Sequence, residues 1–170
     1  MKKILIALVC CVLCSCQRSP SEVFQKVKYD FGIGEKPEGY VTGSEMVMAN
    51  LRKVGETELK RMNMQNRHGE VKFQEEEGLK GKFYKEVKVY DGFYPLDARA
   101  VAKAAEGDRG YIGLIEYSYR TYQSERFNTR AEAEAASAAI PTDQSGRETF
   151  RYKFSAGGVW NGSPGEATRR

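Results

Sequence analysis

All four cysteines of this chain fall within its first sixteen residues, at positions 10, 11, 14 and 16. No disulfide can therefore staple anything downstream of them. Whatever folds beyond residue 16 must be held by an apolar core alone. A domain of about 150 residues buries roughly 68–70% of its unfolded surface, which is enough for such a core. The length fits one domain.

The cysteines close a short apolar segment. Lys2 and Lys3 precede an apolar run from Ile4 to Leu13. Crossing a bilayer takes about 20 apolar residues, so the run is too short to span and has the form of a secretory leader. It ends in Leu13-Cys14-Ser15-Cys16, which resembles the lipobox of bacterial lipoproteins. There an apolar residue stands three before the modified cysteine and a small one directly before it. Cys14 occupies a position where Ala, Ser, Thr or Val is more usual. Cys10 follows Val9 and Cys14 follows Leu13, both too large for the cleavage position, and Cys11 lies inside the apolar run.

The resemblance implies residues 1–15 as a signal peptide and cleavage before Cys16. A thioether-linked diacylglycerol would sit on that sulfur, often with acylation of the new amine. Two or more chains give stable anchoring where one binds marginally. The implied localisation is the cell envelope. Gln17 stands where Asp would favour inner-membrane retention, so the periplasmic side of an outer membrane is favoured in a double-membraned cell. Residues 16–41 then read as the lipidated cysteine and a tether, and 42–170 as one globular domain with a flexible C-terminal end.

Cleavage would remove Lys2 and Lys3, lowering Lys+Arg from 27 to 25 against 23 acids. That near-balance carries no basic stripe for nucleic acid.

The domain opens on a capping box, Thr42 with Glu45, which predicts a helix start. Met48, Leu51, Gly55, Leu59 and Met62 then repeat at helical spacing, with Val47 and Val54 widening the stripe. Gly55 on that stripe either lets the helix approach a sheet closely or breaks it in two. Asn66 to Gly69 ends the helix. From Gly69 the period becomes two. Val71 and Phe73, then Phe83, Val87 and Val89, alternate with polar residues. Tyr111, Gly113, Ile115, Tyr117 and Tyr119 line one face of a long strand, and Phe150, Tyr152 and Phe154 line another. Asp91-Gly92 predicts a tight hairpin turn, and Pro95 an edge strand or loop. Thr129 with Glu132 is a second capping box, predicting a short helix over 129–139. Ala98 to Glu106 is a further candidate helical turn. The fold class is α+β: an N-terminal helix on a four- or five-stranded antiparallel sheet, with a β-sandwich carrying a helical preface as the alternative.

Chemistry is sparse. His68 is the lone histidine and sits at the helix end, where it can interact with the last carbonyls. One histidine and no cysteine beyond Cys16 exclude a histidine-cluster or thiolate metal site. No cofactor motif is present, and Glu75-Glu76-Glu77 matches no calcium loop. Glu116 among tyrosines reads as an outward strand charge paired with Arg120. No catalytic residue is assigned. Tyr90, Phe93, Tyr94 and Trp160 are the candidate partner contacts, since exposed Tyr and Trp favour protein interfaces. Elimination thus leaves a non-catalytic envelope module that binds an unknown envelope protein. A polysaccharide- or small-apolar-ligand module is the alternative, and a carboxylate hydrolase the third.

Overall fold

The computed structural model describes residues 39–76, 79–101 and 110–168, with isolated positions between 21 and 36. The leader and Cys16 lie outside the described residues, as do 102–109, most of the candidate turn at Ala98–Glu106. Two compact units are distinguished, Met1–Thr42 and Gly43–Arg170. In the first, the rings of Tyr29 and Tyr40 meet edge to face at 6.1 Å.

Helix α1 runs Gly43–Asn66, starting directly after Thr42 as the capping box predicts. It is continuous through Gly55. Its buried residues are Val47, Leu51, Val54, Gly55 and Glu58. The stripe is therefore rotated from the expected one: Met48 is exposed, and a glutamate takes a core position. Asn66 accepts from the Gly69 amide at 2.9 Å, and Gly69 (φ 62°) turns the chain into the sheet. A positive φ suits a residue without Cβ.

Five strands follow as an antiparallel meander in the order β1-β2-β3-β4-β5: Glu70–Glu76, Leu79–Ala100, Gly110–Gln123, Ile140–Ser155 and Glu166–Ala167. The architecture is the expected α+β one, a helix on a curled sheet; a β-sandwich would need a second sheet. Asp91-Gly92 does not make a hairpin. β2 passes straight through it with one extra residue between Tyr90 and Gly92, and a second irregularity falls between Pro95 and Asp97. A glycine inside a strand marks a bulge as readily as a turn, and here continued pairing with β3 determines which.

Each extra residue resets the alternation. Tyr90 opposes Tyr119 and Phe93 opposes Tyr117, so both rings stand on the face toward α1. β4 completes that face with Phe150 opposite Ile115, Tyr152 opposite Gly113 and Phe154 opposite Tyr111. The core cluster is Val47, Leu51 and Val54 of α1 against Tyr90, Ile115, Tyr117, Tyr152 and Phe154. Asn63 clamps the bulge, accepting from the Tyr90 amide and donating to its carbonyl, both at 2.8 Å.

The alternation in the first half of β2 has the expected period. Register puts Glu86 and Lys88 on the α1 side, and Phe83, Lys85 and Val87 on the opposite side. There a second helix, α2 (Arg130–Ala135), packs on β1 and β2 and buries Ala133. Its capping box is formed: Thr129 Oγ1 accepts from the Glu132 amide, and Glu132 returns an acceptor to the Thr129 amide. Lys85 Nζ donates to the Ala136 carbonyl at 2.7 Å, placing a cation at the helix C-terminus.

Gly55 sits where α1 crosses the bulge. A Cβ there would lie 2.3 Å from the Phe93 ring. Gly55→Ala gains about 1 kcal/mol of helix propensity but overpacks the contact at about 1–3 kcal/mol. A net loss is expected in urea unfolding. The sign should reverse when the same change is made on a Phe93→Leu background, which vacates the space.

Candidate functional site

The four expected contact residues part company. Tyr90 is 6% exposed and belongs to the core, so it cannot meet a partner. Phe93 lies half-buried under Gly55, because the bulge turns it inward. Trp160 bridges to Phe154 and rests edge-on against Tyr152, with its Nε1 donating to the Ser163 carbonyl at 3.1 Å. Tyr94 alone projects outward, 68% exposed, with Leu96 beside it at 42%.

The outward face at Tyr94 is the side of the sheet away from α1. By register it carries Ile112 and Leu114 of the central strand, flanked by Arg99 on β2 and by Arg151 and Lys153 on β4. Asp97, opposite Leu114, adds an exposed carboxylate to it, and in its ion pairs Arg120, Arg147 and Lys153 are more exposed than their carboxylates while Arg151 is less so. Glu116 is bound by Arg147 (3.2 Å) rather than by Arg120, contrary to expectation, and their side chains are 14% and 72% exposed. Arg120 pairs instead with Asp91, the extra residue of the bulge, at 3.0 Å. Glu166 on β5 bridges Arg151 and Lys153. Hydrogen bonds from Arg151 and Lys153 hold its carboxyl down at about 2. A polar groove of about 290 Å³ runs beside the bulge, lined by Asp91, Ser118, Arg120 and Arg147 among others.

Two networks lie on the α1 side. In one, Tyr90 Oη donates to Glu148 at 2.5 Å and Lys88 Nζ donates to the same carboxylate at 2.7 Å, while Lys88 sits 4.3 Å from the Tyr119 ring centroid. Burial pushes the Glu148 carboxyl up, but the bonds from Lys88 and Tyr90 outweigh it and hold it below its ordinary value. Glu86, bonded to Lys72 and Gln123, shows the same opposition with the same outcome.

The second network was not foreseen from sequence. Glu58 is 2% exposed, bonded by Arg61 at 2.5 Å and approached by the Gly165 amide at 3.4 Å, while its Oε1 has no partner among the described residues. Its charge acts on Tyr117 and Tyr152, whose hydroxyls meet at 2.9 Å; burial raises the pKa of both, so they stay protonated. Arg61 also donates to the Gly162 carbonyl, and Asn50 to that of Gly158, both at 3.1 Å. These contacts hold residues 158–165 along α1. The segment is thereby tied down as far as β5. A sequence signal existed in the position of Glu58, four residues after Val54 and seven after Leu51, on the buried stripe.

His68 accepts from Arg67 Nε at 2.9 Å in the exposed turn after α1. No group of acidic, histidine or cysteine side chains suited to a metal occurs among the described residues.

No family model, curated protein or solved structure matches this chain.

Two measurements test these networks. Tyr152→Phe leaves the Tyr117 hydroxyl buried without its partner, and a loss of about 1–3 kcal/mol is expected. The double change Tyr117→Phe/Tyr152→Phe should lose less than the two single changes summed, as a double-mutant cycle would read. Glu148 has a depressed pKa in the fold, so its contribution is present above the unfolded value near 4.5. It is lost as pH falls through the folded value. Glu148→Gln should therefore be less stable than the parent at neutral pH, with the gap closing on acidification.

Proposed function

We propose that the chain is a lipid-anchored, non-catalytic module of the cell envelope that docks a protein partner on its outward sheet face. The leader and lipobox support the anchor, with Cys16 carrying the acyl chains. No helix among the described residues is long and apolar enough to cross a membrane.

The observation that carries the docking is the make-up of that face. Tyr94 and Leu96 are exposed, Ile112 and Leu114 share the face of Tyr94 by register, and Arg120, Arg147 and Lys153 are more exposed than the carboxylates that pair with them. Aromatic side chains and Arg are enriched at interface centres. The partner this fits is a protein whose apolar ridge is bordered by carboxylates, so that charges meet at the rim.

The state of the ionisable groups supports a binding role. A general acid or base works best with its ionisation near the operating pH. Glu86, Glu148 and Glu166 are displaced downward, while Tyr90, Tyr117 and Tyr152 are displaced upward. Each of these shifts leads away from neutrality.

The test is crosslinking on intact cells followed by purification of the membrane-bound protein, with Cys16→Ala and Tyr94→Ala/Leu96→Ala as variants. A protein crosslinked by the parent and lost with the surface pair is expected. Cys16→Ala should leave the protein off the membrane, and mass spectrometry of the parent should find acyl chains on a first residue Cys16. A bare thiol there would refute the anchor. Recovery of the same protein by the Tyr94/Leu96 variant would refute the docking face.

A further inference from the structure

The chain that runs on from Cys16 enters the folded domain at Gly43, the first residue of α1. Gly43 lies against the Tyr111 hydroxyl. Tyr111 pairs with Phe154, one rung from the end of the sheet, where Gly110 meets Ser155. The start of α1 and this end of β3 and β4 therefore form one end of the domain. It is the end to which the tether is joined.

A turn closes β4 there. The Ser155 amide donates to the Val159 carbonyl, and the Gly158 amide to the Ser155 carbonyl, both at 2.9 Å. Gly158 (φ 72°) is buried against the helix: a Cβ on it would lie 3.1 Å from Met46 Sδ, and Asn50 donates to its carbonyl at 3.1 Å. The turn is thus fixed to the beginning of α1. Beside it Val159 is 64% exposed and Met46 41%, and neither belongs to the core cluster. Ser155, Ala156 and Gly157 at the tip are exposed and uncharged. Among the described residues around them, Glu45 and Arg99 bring one charge of each sign, and Lys153 is already joined to Glu166. The tip is apolar and its surroundings are close to neutral.

Single exposed apolar side chains are ordinary on a protein surface. The tether makes these two different. A short linker turns a second contact into an intramolecular one, at an effective concentration on the order of millimolar. A domain held to a bilayer through Cys16 therefore needs little buried apolar area to settle one end on the lipid.

We propose that the turn 155–159 and the first turn of α1 seat the domain on the membrane, with Val159 and Met46 entering the headgroup layer of the bilayer that holds Cys16. The seating rests on the proposed anchor. The partner is the lipid surface itself. Both side chains gain by leaving water, and the flexible thioether of Met46 adapts to an irregular surface. Seated this way, the strands lead away from the bilayer. Tyr94, opposite Glu116, stands roughly 20 Å from Gly110 along β3 at about 3.3 Å per residue, which lifts the docking face off the lipid.

Trp160, the lone tryptophan, directly follows Val159 and reports the contact without a label. The protein purified from membranes is reconstituted into phosphatidylcholine vesicles that carry a headgroup nitroxide, a short-range quencher. About half of the Trp160 emission should be quenched, and since interfacial binding scales with buried apolar area, Met46→Gln/Val159→Gln should cut that quenching about threefold. The variant should still sediment with the vesicles and unfold in urea at the parent's midpoint; Val159→Gln alone carries the test if Met46→Gln lowers that midpoint. Tyr94→Ala/Leu96→Ala should be quenched as the parent is, which separates seating from docking. A bare thiol at Cys16 would refute the anchor and leave the seating testable: the chain from Cys16 onward, coupled through that single thiol to a maleimide lipid, gives the same measurement. A vesicle-bound parent with unquenched Trp160, or a folded variant quenched as strongly as the parent, would overturn the proposal.

Discussion

The extra residue at Asp91 is the constraint from which the rest of the packing follows. Side chains in a strand alternate between faces, so one added residue moves everything after it to the other side. Without it, Tyr90 and Phe93 would point to opposite faces, and α1 would meet one ring instead of two. With it, both rings join Tyr117 beneath the helix, and Tyr90 meets the Tyr117 and Tyr119 rings edge-on near 6 Å. The added backbone is not left loose: Asn63 bonds both polar groups of Tyr90, and the Asp91 side chain meets Ser118 and Arg120. Gly55 is the matching concession on the helix, giving up a side chain so that Phe93 can lie flat below it.

A sheet curled by such bulges cannot be covered by one helix. α1 seals the half that holds the tyrosines, and α2 seals the reverse side of β1 and β2. The half of the inner face that α1 leaves is filled by charge: Lys72 with Glu86, and Lys88 with Glu148. At the other end residues 158–165 close the edge of the core, fastened by Asn50, Glu58 and Arg61. In a chain whose cysteines all precede residue 17, these polar fastenings take the place that disulfides hold in many exported domains. The Glu58–Arg61 pair is not by itself a source of stability, since desolvating two charges offsets much of their attraction. Its role is positional. Removing either member leaves the other charged and badly solvated, so the segment that satisfies them is held in one place.

The sequence made the period of each element legible wherever neighbours in the chain determine it. Tyr111 through Tyr119 alternate without interruption, and β3 is a strand with that face inward. Thr129 and Glu132 form their capping box within four residues of chain. What could not be read depends on pairing between distant segments. The Asp91-Gly92 dipeptide has the local chemistry of a turn and of a bulge alike, and eight more paired residues of register with β3 determine the outcome. The alternation of Phe83 and Val87 shows which residues share a face but not which side of the sheet that face is on; it lies under α2, away from α1. Glu58 was passed over because a charge on a helix is usually solvated, and the groups that bury it come from residues 117, 152 and 165. Of the expected contacts, Tyr94 alone kept its place on the surface, since the bulge that drew Phe93 inward turned Tyr94 out.

Leu96 is the residue that separates a docking face from an ordinary strand surface. Ile, Leu and Tyr on the outside of a strand can be accounted for by β propensity, because such side chains pack well on a pleated surface. That accounts for Ile112, Leu114 and Tyr94, all within the ladder. It does not account for Leu96, which falls between the paired residues Pro95 and Asp97 and has no partner across β3. It is 42% exposed and lies outside the core cluster. Neither core packing nor strand pairing calls for leucine at this point; the proposed docking would, by bringing an apolar surface from outside.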